Sequence, residues 1–348
     1  RPDILHNVNL DRARYNPQPQ FSPAPSSMPQ LLTSLSDFPA GLRGGAVSVG
    51  NFDGVHVGHS RLIQQLVATA RELSGPAIVL TFAPPPAALL YPERQLAAPL
   101  TTIARRAELL FELGVDALLA YPTDMELLSL SAQEFFQQKI LGILHARGMV
   151  EGPNFRFGRD RDGDVDRLQT LCVQSGVLFQ VAQPSADAQG MISSTRIRQL
   201  LVDGQVAAAN AWLTQAYQLQ GIVVSGAQRG RQLGFPTANL TEVGSLIPAA
   251  GVYAGQVTLS DESHDTVDDH ARVAGDQLAH SDRGQRQSYW AAVNIGPNPT
   301  FEEAGTKVEV HLIGYTGGAL YGRTMAVSLL RQIRAVRKFD SIDALRAQ

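Results

Sequence analysis

Two histidines three residues apart, His56 and His59, close the run Gly50-Asn51-Phe52-Asp53-Gly54-Val55-His56-Val57-Gly58-His59. Imidazoles at that spacing can share one side of a first helical turn and donate to phosphate oxygens while negative charge builds on a leaving pyrophosphate. Gly54 and Gly58 leave room for close backbone approach, and a helix start presents N–H groups and a positive dipole end to an anion. The pattern is that of nucleotidyl transfer. A metal pair is the competing reading, but no cysteine or third histidine lies near to complete a site. A second anion-handling group follows at Ile192-Ser193-Ser194-Thr195-Arg196-Ile197-Arg198. Its hydroxyls alone would make an N-cap; with Arg196 and Arg198 added, hydroxyls, amides and guanidinium groups converge on one helix start as a phosphate clamp.

A third constellation lies in the C-terminal half, Arg229-Gly230-Arg231-Gln232-Leu233-Gly234-Phe235-Pro236-Thr237-Ala238-Asn239. Its glycines let backbone amides face phosphates, while the Thr237 hydroxyl and Asn239 amide oxygen are hard ligands of the kind Mg²⁺ accepts beside a nucleotide. Downstream, Val308-Glu309-Val310-His311-Leu312 puts Glu309 and His311 on one face of a strand. A carboxylate next to a cationic nucleotide site can draw a proton from a hydroxyl, although any barrel strand with one wet face shows the same alternation.

The Gly50 to His59 string and the Ile-Ser-Ser-Thr-x-Ile-Arg string resemble the signatures of the prokaryotic bifunctional riboflavin kinase / FMN adenylyltransferase family, also called FAD synthetase. Gly-Phe-Pro-Thr-Ala-Asn is similar to that family's kinase signature, and the likeness runs from about Met28 to the C-terminus, with Tyr321-Gly322 completing it. The resemblance implies riboflavin, FMN, FAD and ATP as ligands, with Mg²⁺ accompanying ATP. It assigns nucleotide and FMN binding to Gly50, Asn51, Phe52, Asp53, Gly54, Gly58, Asn154, Ser194, Thr195, Arg196 and Arg198, beside His56 and His59. It assigns kinase ATP and flavin binding to Arg229, Gly230, Gly234, Phe235, Pro236, Thr237, Asn239, Asn294, Gly296 and Thr300, with Thr237 and Asn239 at the metal and Glu309 as base. Members usually carry Asp-Pro-His-Pro after the second strand. Here Ala83-Pro84-Pro85-Pro86 stands there, so adenylylation is expected to be retained with weakened binding. A chain that is only a riboflavin kinase, or a flavin and nucleotide sensor without turnover, is the alternative.

These residues need elements to hold them. Val/Ile-rich runs at 46–49, 77–82, 115–120, 148–152 and 177–181 predict buried parallel strands. Helical patterns follow or intervene at 61–67, 101–113, 131–144 and 194–201, so a doubly wound α/β sheet is expected over 28–215. Strand ends in such a sheet are where ligands bind. From 216 to 348 short strands at 220–224, 251–257, 290–295 and 307–312, separated by turn signals, predict an antiparallel barrel with a final helix over 339–348. The polar stretch 260–288 reads as an inserted loop. Residues 1–27, rich in Pro, Asn and Gln, read as a disordered tail, and Met28 as the natural start.

Composition sets the outer limits. The chain has 348 residues, enough for two modules, a net charge of −3 and only 18% charged residues, so no basic field points to nucleic acid. The one cysteine, Cys172, forms no internal disulfide and fits a reducing compartment. No apolar run approaches the ~20 residues of a membrane span, and a cytoplasmic protein acting on small molecules is expected, with self-association left open.

Overall fold

The computed structural model describes residues 28–35, 38–183, 186–187, 190–226, 235–259, 287–298 and 303–339. The expected tail 1–27, most of the expected insert 260–288, the segment 227–234 with Arg229, Gly230 and Gly234, Thr300, and nearly all of the expected C-terminal helix lie outside them.

Five runs rich in β-branched and aliphatic residues form strands β2 (Ala46–Val49), β3 (Ala77–Ala83), β4 (Ala117–Pro122), β5 (Gly148–Glu151) and β6 (Leu178–Val181). All pair in parallel in the order β1-β4-β3-β2-β5-β6. The edge strand β1 (Gln30–Leu32) is an addition to expectation, since three residues in a Pro- and Gln-rich context carry no readable period. Alternate strand residues feed two cores. Val47, Val49, Ile78, Leu80, Leu119 and Met149 face one, while Ala46, Val79, Leu118 and Val150 face the other. Helix α1 (Val57–Glu72) covers the second core with Ile63 and Leu66, and α6 (Val165–Ser175) the first, where Cys172 is buried. Short helix α2 (Pro86–Leu90) precedes α3 (Ile103–Glu112), which opens on the Thr102 hydroxyl as expected. The expected helix over 131–144 is broken up: after α4 (Met125–Ser129), a four-residue α5 (Ala132–Phe135) with a Ser131/Glu134 capping box passes into a π turn at Phe136–Leu141.

The C-terminal half is a closed barrel in the order β10-β13-β12-β11-β14-β9, every pair antiparallel. Its strands are β9 (Gln218–Val224), β10 (Ala238–Thr241), β11 (Gly251–Leu259), β12 (Gln287–Asn298), β13 (Glu303–Leu312) and β14 (Thr324–Arg334). Tyr253, Val293, Val310 and Val327 fill the interior, each fully buried. Between sheet and barrel stand the two-residue strands β7 (Ala186–Asp187) and β8 (Gly190–Met191), then α7 (Ser194–Val202) and α8 (Val206–Asn210). The apolar side chains of α7 and α8 join the barrel's core: Ile197, Leu201, Val206 and Ala209 share one buried cluster with Leu219, Tyr253 and Val327. The 215/216 boundary marks a change of element type, while the packing of the last two helices already belongs with the barrel.

Candidate active site

Strand β2 has β3 on one side and β5 on the other, and the chain leaves their C-terminal ends into the Gly50–His59 loop, the Ala83–Pro86 turn and the Asn154 loop. That is the crevice at which doubly wound sheets bind ligands. Gly50 N–H donates to Leu80 O (3.0 Å), and the loop then bends through two non-glycine residues of positive φ, Phe52 (46°) and Val55 (40°). Such a conformation in a β-branched residue costs on the order of 1–3 kcal/mol, so the surroundings must impose it. Thr214 Oγ1 donates to Val55 O at 2.8 Å, Val57 N–H donates to Trp212 O at 2.9 Å, and His56 bridges Leu213. Gly54, at φ 83°, has no room for a side chain, because a Cβ would come within 2.8 Å of Leu100.

His56 caps α1: its Nδ1 accepts the His59 N–H at 3.2 Å, which leaves Nε2 as the protonated, donating nitrogen of the neutral ring. The two rings stack with centroids 3.6 Å apart, confirming that the pair shares one side of the first turn. Burial pushes His56 down to about 4 and His59 well below its ordinary value, with the His56 and Arg106 charges opposing protonation of His59 further. Both are neutral without ligand. His59 Nδ1 is enclosed and has no hydrogen-bond partner among the described residues. Of the amides expected to face an anion, those of Val57 and His59 are taken inside the chain.

Asp53, assigned by the resemblance to ligand binding, has its carboxylate bonded within the chain. Its carboxylate accepts from Leu100 N (2.9 Å), Thr101 N (3.0 Å), Thr101 Oγ1 (3.0 Å) and Arg106 (3.0 Å), and also from Arg198. With both oxygens engaged and the residue only 5% exposed, Asp53 organises the site from beneath. Its carbonyl accepts from Ser194 Oγ at 2.8 Å, and Arg198 Nε reaches Ala98 O at 3.2 Å. The start of α7 is thereby seated against the loop that leads into α1. Ser193 takes the N-cap, accepting from Arg196 N (3.4 Å), so Ser194 is free for this cross-link; Thr195 is exposed and the Arg196 guanidinium lies 4.3 Å over the Trp212 ring. Asn51 and Asn154 are exposed on their loops. The Ala83–Pro86 turn is held through backbone, with Thr123 Oγ1 donating to Pro84 O at 2.6 Å. Arg106 and Thr101 belong to the site's support and escaped sequence reading, because Thr101 and Arg106 read locally only as parts of an ordinary helix.

On the barrel, Glu309 of β13 is the register partner of Asn239 on β10 and of Asn294 on β12. The three form one row on the outer face, alternating with buried Ala238, Leu240, Val308, Val310, Val293 and Ile295. His311, two residues along, donates from Nδ1 to Pro236 O at 2.8 Å and meets the Phe235 ring edge-on at 5.6 Å. It fixes the Phe235-Pro236-Thr237 segment beside Glu309. Gly296, at φ 125°, follows the row on β12, and a Cβ there would meet Ala250 at 2.8 Å. Among the described residues no three acidic, histidine or cysteine side chains gather as a metal site. Thr237 and Asn239 offer a hydroxyl and an amide oxygen, donors of the kind a hard cation accepts beside a nucleotide.

Comparison with known proteins finds two families along the chain. The FAD synthetase family matches residues 39–196 and the riboflavin kinase family residues 213–348. The bifunctional riboflavin kinase/FMN adenylyltransferase of Escherichia coli K12 is 33% identical over 88% of this chain and 89% of its own length. That of Pseudomonas fluorescens is 32% identical over 91% and 93%. A crystal structure titled macrolide-efflux protein, from Streptococcus pneumoniae, superposes with a TM-score of 0.75 at 30% identity, covering 92% of this chain and 96% of that one. Among the described residues of this chain no helix is long and apolar enough to cross a membrane. With both halves matched and the identity spread over nearly the whole length, the chain belongs to the bifunctional riboflavin kinase/FMN adenylyltransferase family.

Proposed function

We propose that the barrel transfers a phosphoryl group from ATP to riboflavin, and that the α/β half then joins the resulting FMN to the AMP part of a second ATP, giving FAD and pyrophosphate. The row Asn239–Glu309–Asn294 carries the kinase reading. Glu309 takes the proton of the attacking ribityl hydroxyl, and Asn294 with Gly296 and Thr300 borders the flavin. Thr237 and Asn239 would hold Mg²⁺ with the ATP phosphates, where the ion neutralises phosphate charge. Arg229, Gly230 and Gly234, which lie outside the described residues, are assigned to the ATP phosphates.

In the α/β half the FMN phosphate is already ionised and attacks the α-phosphorus without a protein base, while the bond to pyrophosphate breaks. His56 through Nε2, His59, Ser194, Thr195, Arg196 and Arg198 meet the charge that moves to the leaving group. Asn51, Gly50, Gly58 and Asn154 line the nucleotide. We place these reactions in the cytoplasm, where small-molecule flavins and ATP meet a chain with a single buried thiol. Incubating purified protein with riboflavin, ATP and Mg²⁺ and separating the flavins tests the reading. FMN followed by FAD is expected; a reaction that halts at FMN, including when FMN is supplied directly, overturns the adenylyltransferase half. Matches to both families speak against a chain with kinase activity alone.

A further inference from the structure

Glu151 is a carboxyl group in a place built for apolar side chains. It ends β5 at the crevice between β2 and β5, is 2% exposed, and lies near Cys172, itself fully buried among the aliphatic residues under α6. Isolated, such a group costs several kcal/mol to bury unless it is bonded. Its Oε1 accepts the Val49 N–H at 2.7 Å. The reason lies in the ladder. The β2–β5 pairing stops after Val47↔Met149, one rung short of the bond that a parallel ladder would next make from Val49 N–H to the Val150 carbonyl. Val49 N–H, the last amide of β2 on that side, has lost its main-chain acceptor, and the Glu151 side chain supplies one. The next amide, Gly50 N–H, bonds β3 at Leu80 O, so one short stretch is fixed from both neighbours at the point where the catalytic loop departs.

We propose that Glu151 is a positioning residue for adenylylation, setting the departure of the Gly50–His59 loop from the sheet through its bond to Val49. The proposal rests on the reading of that loop as the adenylyl-transfer site. Burial holds the carboxyl well above the usual range, against the pull of the Val49 N–H and the Ser48 hydroxyl, and glutamine matches its size and reach without a charge. Glutamine keeps an acceptor for Val49; leucine and methionine keep bulk without one. The misplacement then falls on His56 and His59, a few residues along, and not on the barrel.

The test compares Glu151→Gln, Glu151→Leu and Glu151→Met in the full chain, reading FAD formation from supplied FMN and FMN formation from riboflavin in the same preparations. Glu151→Gln is expected within about twofold of the parent, and Glu151→Leu and Glu151→Met about tenfold or more lower in kcat for FAD formation, as a loosened catalytic loop requires. FMN formation stays at the parent rate and shows that each variant is folded. Wild-type FAD formation by both Leu and Met variants overturns the proposal. So does equal damage by Gln and Leu, or a parallel loss of both activities. His59→Ala serves as the control on the site itself: if that variant adenylylates at the parent rate, the reading of the loop fails, whereas loss in His59→Ala with none in Glu151→Leu overturns the Glu151 role alone.

Discussion

At Asp53 one carboxylate answers two guanidinium groups and two backbone amides, and the Arg106 side chain is only 6% exposed. Breaking a buried ion pair by removing one partner costs about 3–5 kcal/mol, because the remaining charge stays desolvated. Asp53→Asn is expected to lose about that much stability in urea unfolding and to lower FAD formation far more than FMN formation, since Arg106 and Arg198 lose their carboxylate partner beneath the loop. The histidines set a pH dependence. His56 titrates near 6.5 unfolded and at about 4 folded, so the unfolded chain binds the extra proton between those values. Its contribution is complete above pH ~6.5, declines as pH falls, and levels off below ~4, amounting to about 3 kcal/mol at most. His56→Asn, which keeps a capping oxygen, is expected to flatten the acid limb of a stability-versus-pH curve; an unchanged slope would show that His56 titrates normally in the fold. The histidine pair and the glycines were legible as residue types at a spacing. The work of Asp53 was not, because Arg106 and Arg198 stand 53 and 145 positions away and no local pattern connects them.

Helix α7 faces two ways. Its first turn brings Ser194 and Arg198 to the Gly50–His59 loop, while Ile197 and Leu201, both fully buried, sit in the barrel's core. A ligand-facing end is thus aimed by packing on its far side. Leu201→Ala, which touches no proposed ligand, is expected to cost about 2–5 kcal/mol as a core truncation and to reduce FAD formation at temperatures where the protein remains folded. Thermal unfolding and assay of the same sample check this; full FAD formation in a destabilised variant would mean that α7 is held by Asp53 alone. Long elements with a clear period, such as α1 and β3, could be read from the sequence. Others escaped: β1 has three residues, α8 five, β10 lies inside a signature whose glycines and proline announce a turn, and β14, though eleven residues long, was not expected either. Ser131–Leu144 shows the same limit, since apolar spacing does not reveal where an α turn widens into a π turn.

Sheet and barrel are tied by more than a linker. Asn210 at the end of α8 accepts from Tyr217 N (2.8 Å) and donates to Leu329 O on β14 (2.9 Å), the Tyr217 hydroxyl donates to Leu246 O (2.5 Å), and Leu246 N–H donates to Pro99 O (2.8 Å) beside Asp53's own partner Leu100. The path from the barrel core to the Leu100 segment under the Gly50–His59 loop therefore runs through hydrogen bonds and packed side chains. The two activities report on the two halves, and Trp212 reports on the junction, because its carbonyl holds the first amide of α1 and its ring lies under Arg196. In a Trp290→Phe background, Trp212 fluorescence and both activities should disappear together as urea is raised. Asn210→Ala leaves the Tyr217 amide and the Leu329 carbonyl without that partner, at a cost of about 1–3 kcal/mol. FAD formation and the Trp212 signal are then expected to fail at lower urea than FMN formation. Separate transitions already in the parent would mean that the junction transmits nothing and that the barrel merely carries α7 as a passive neighbour.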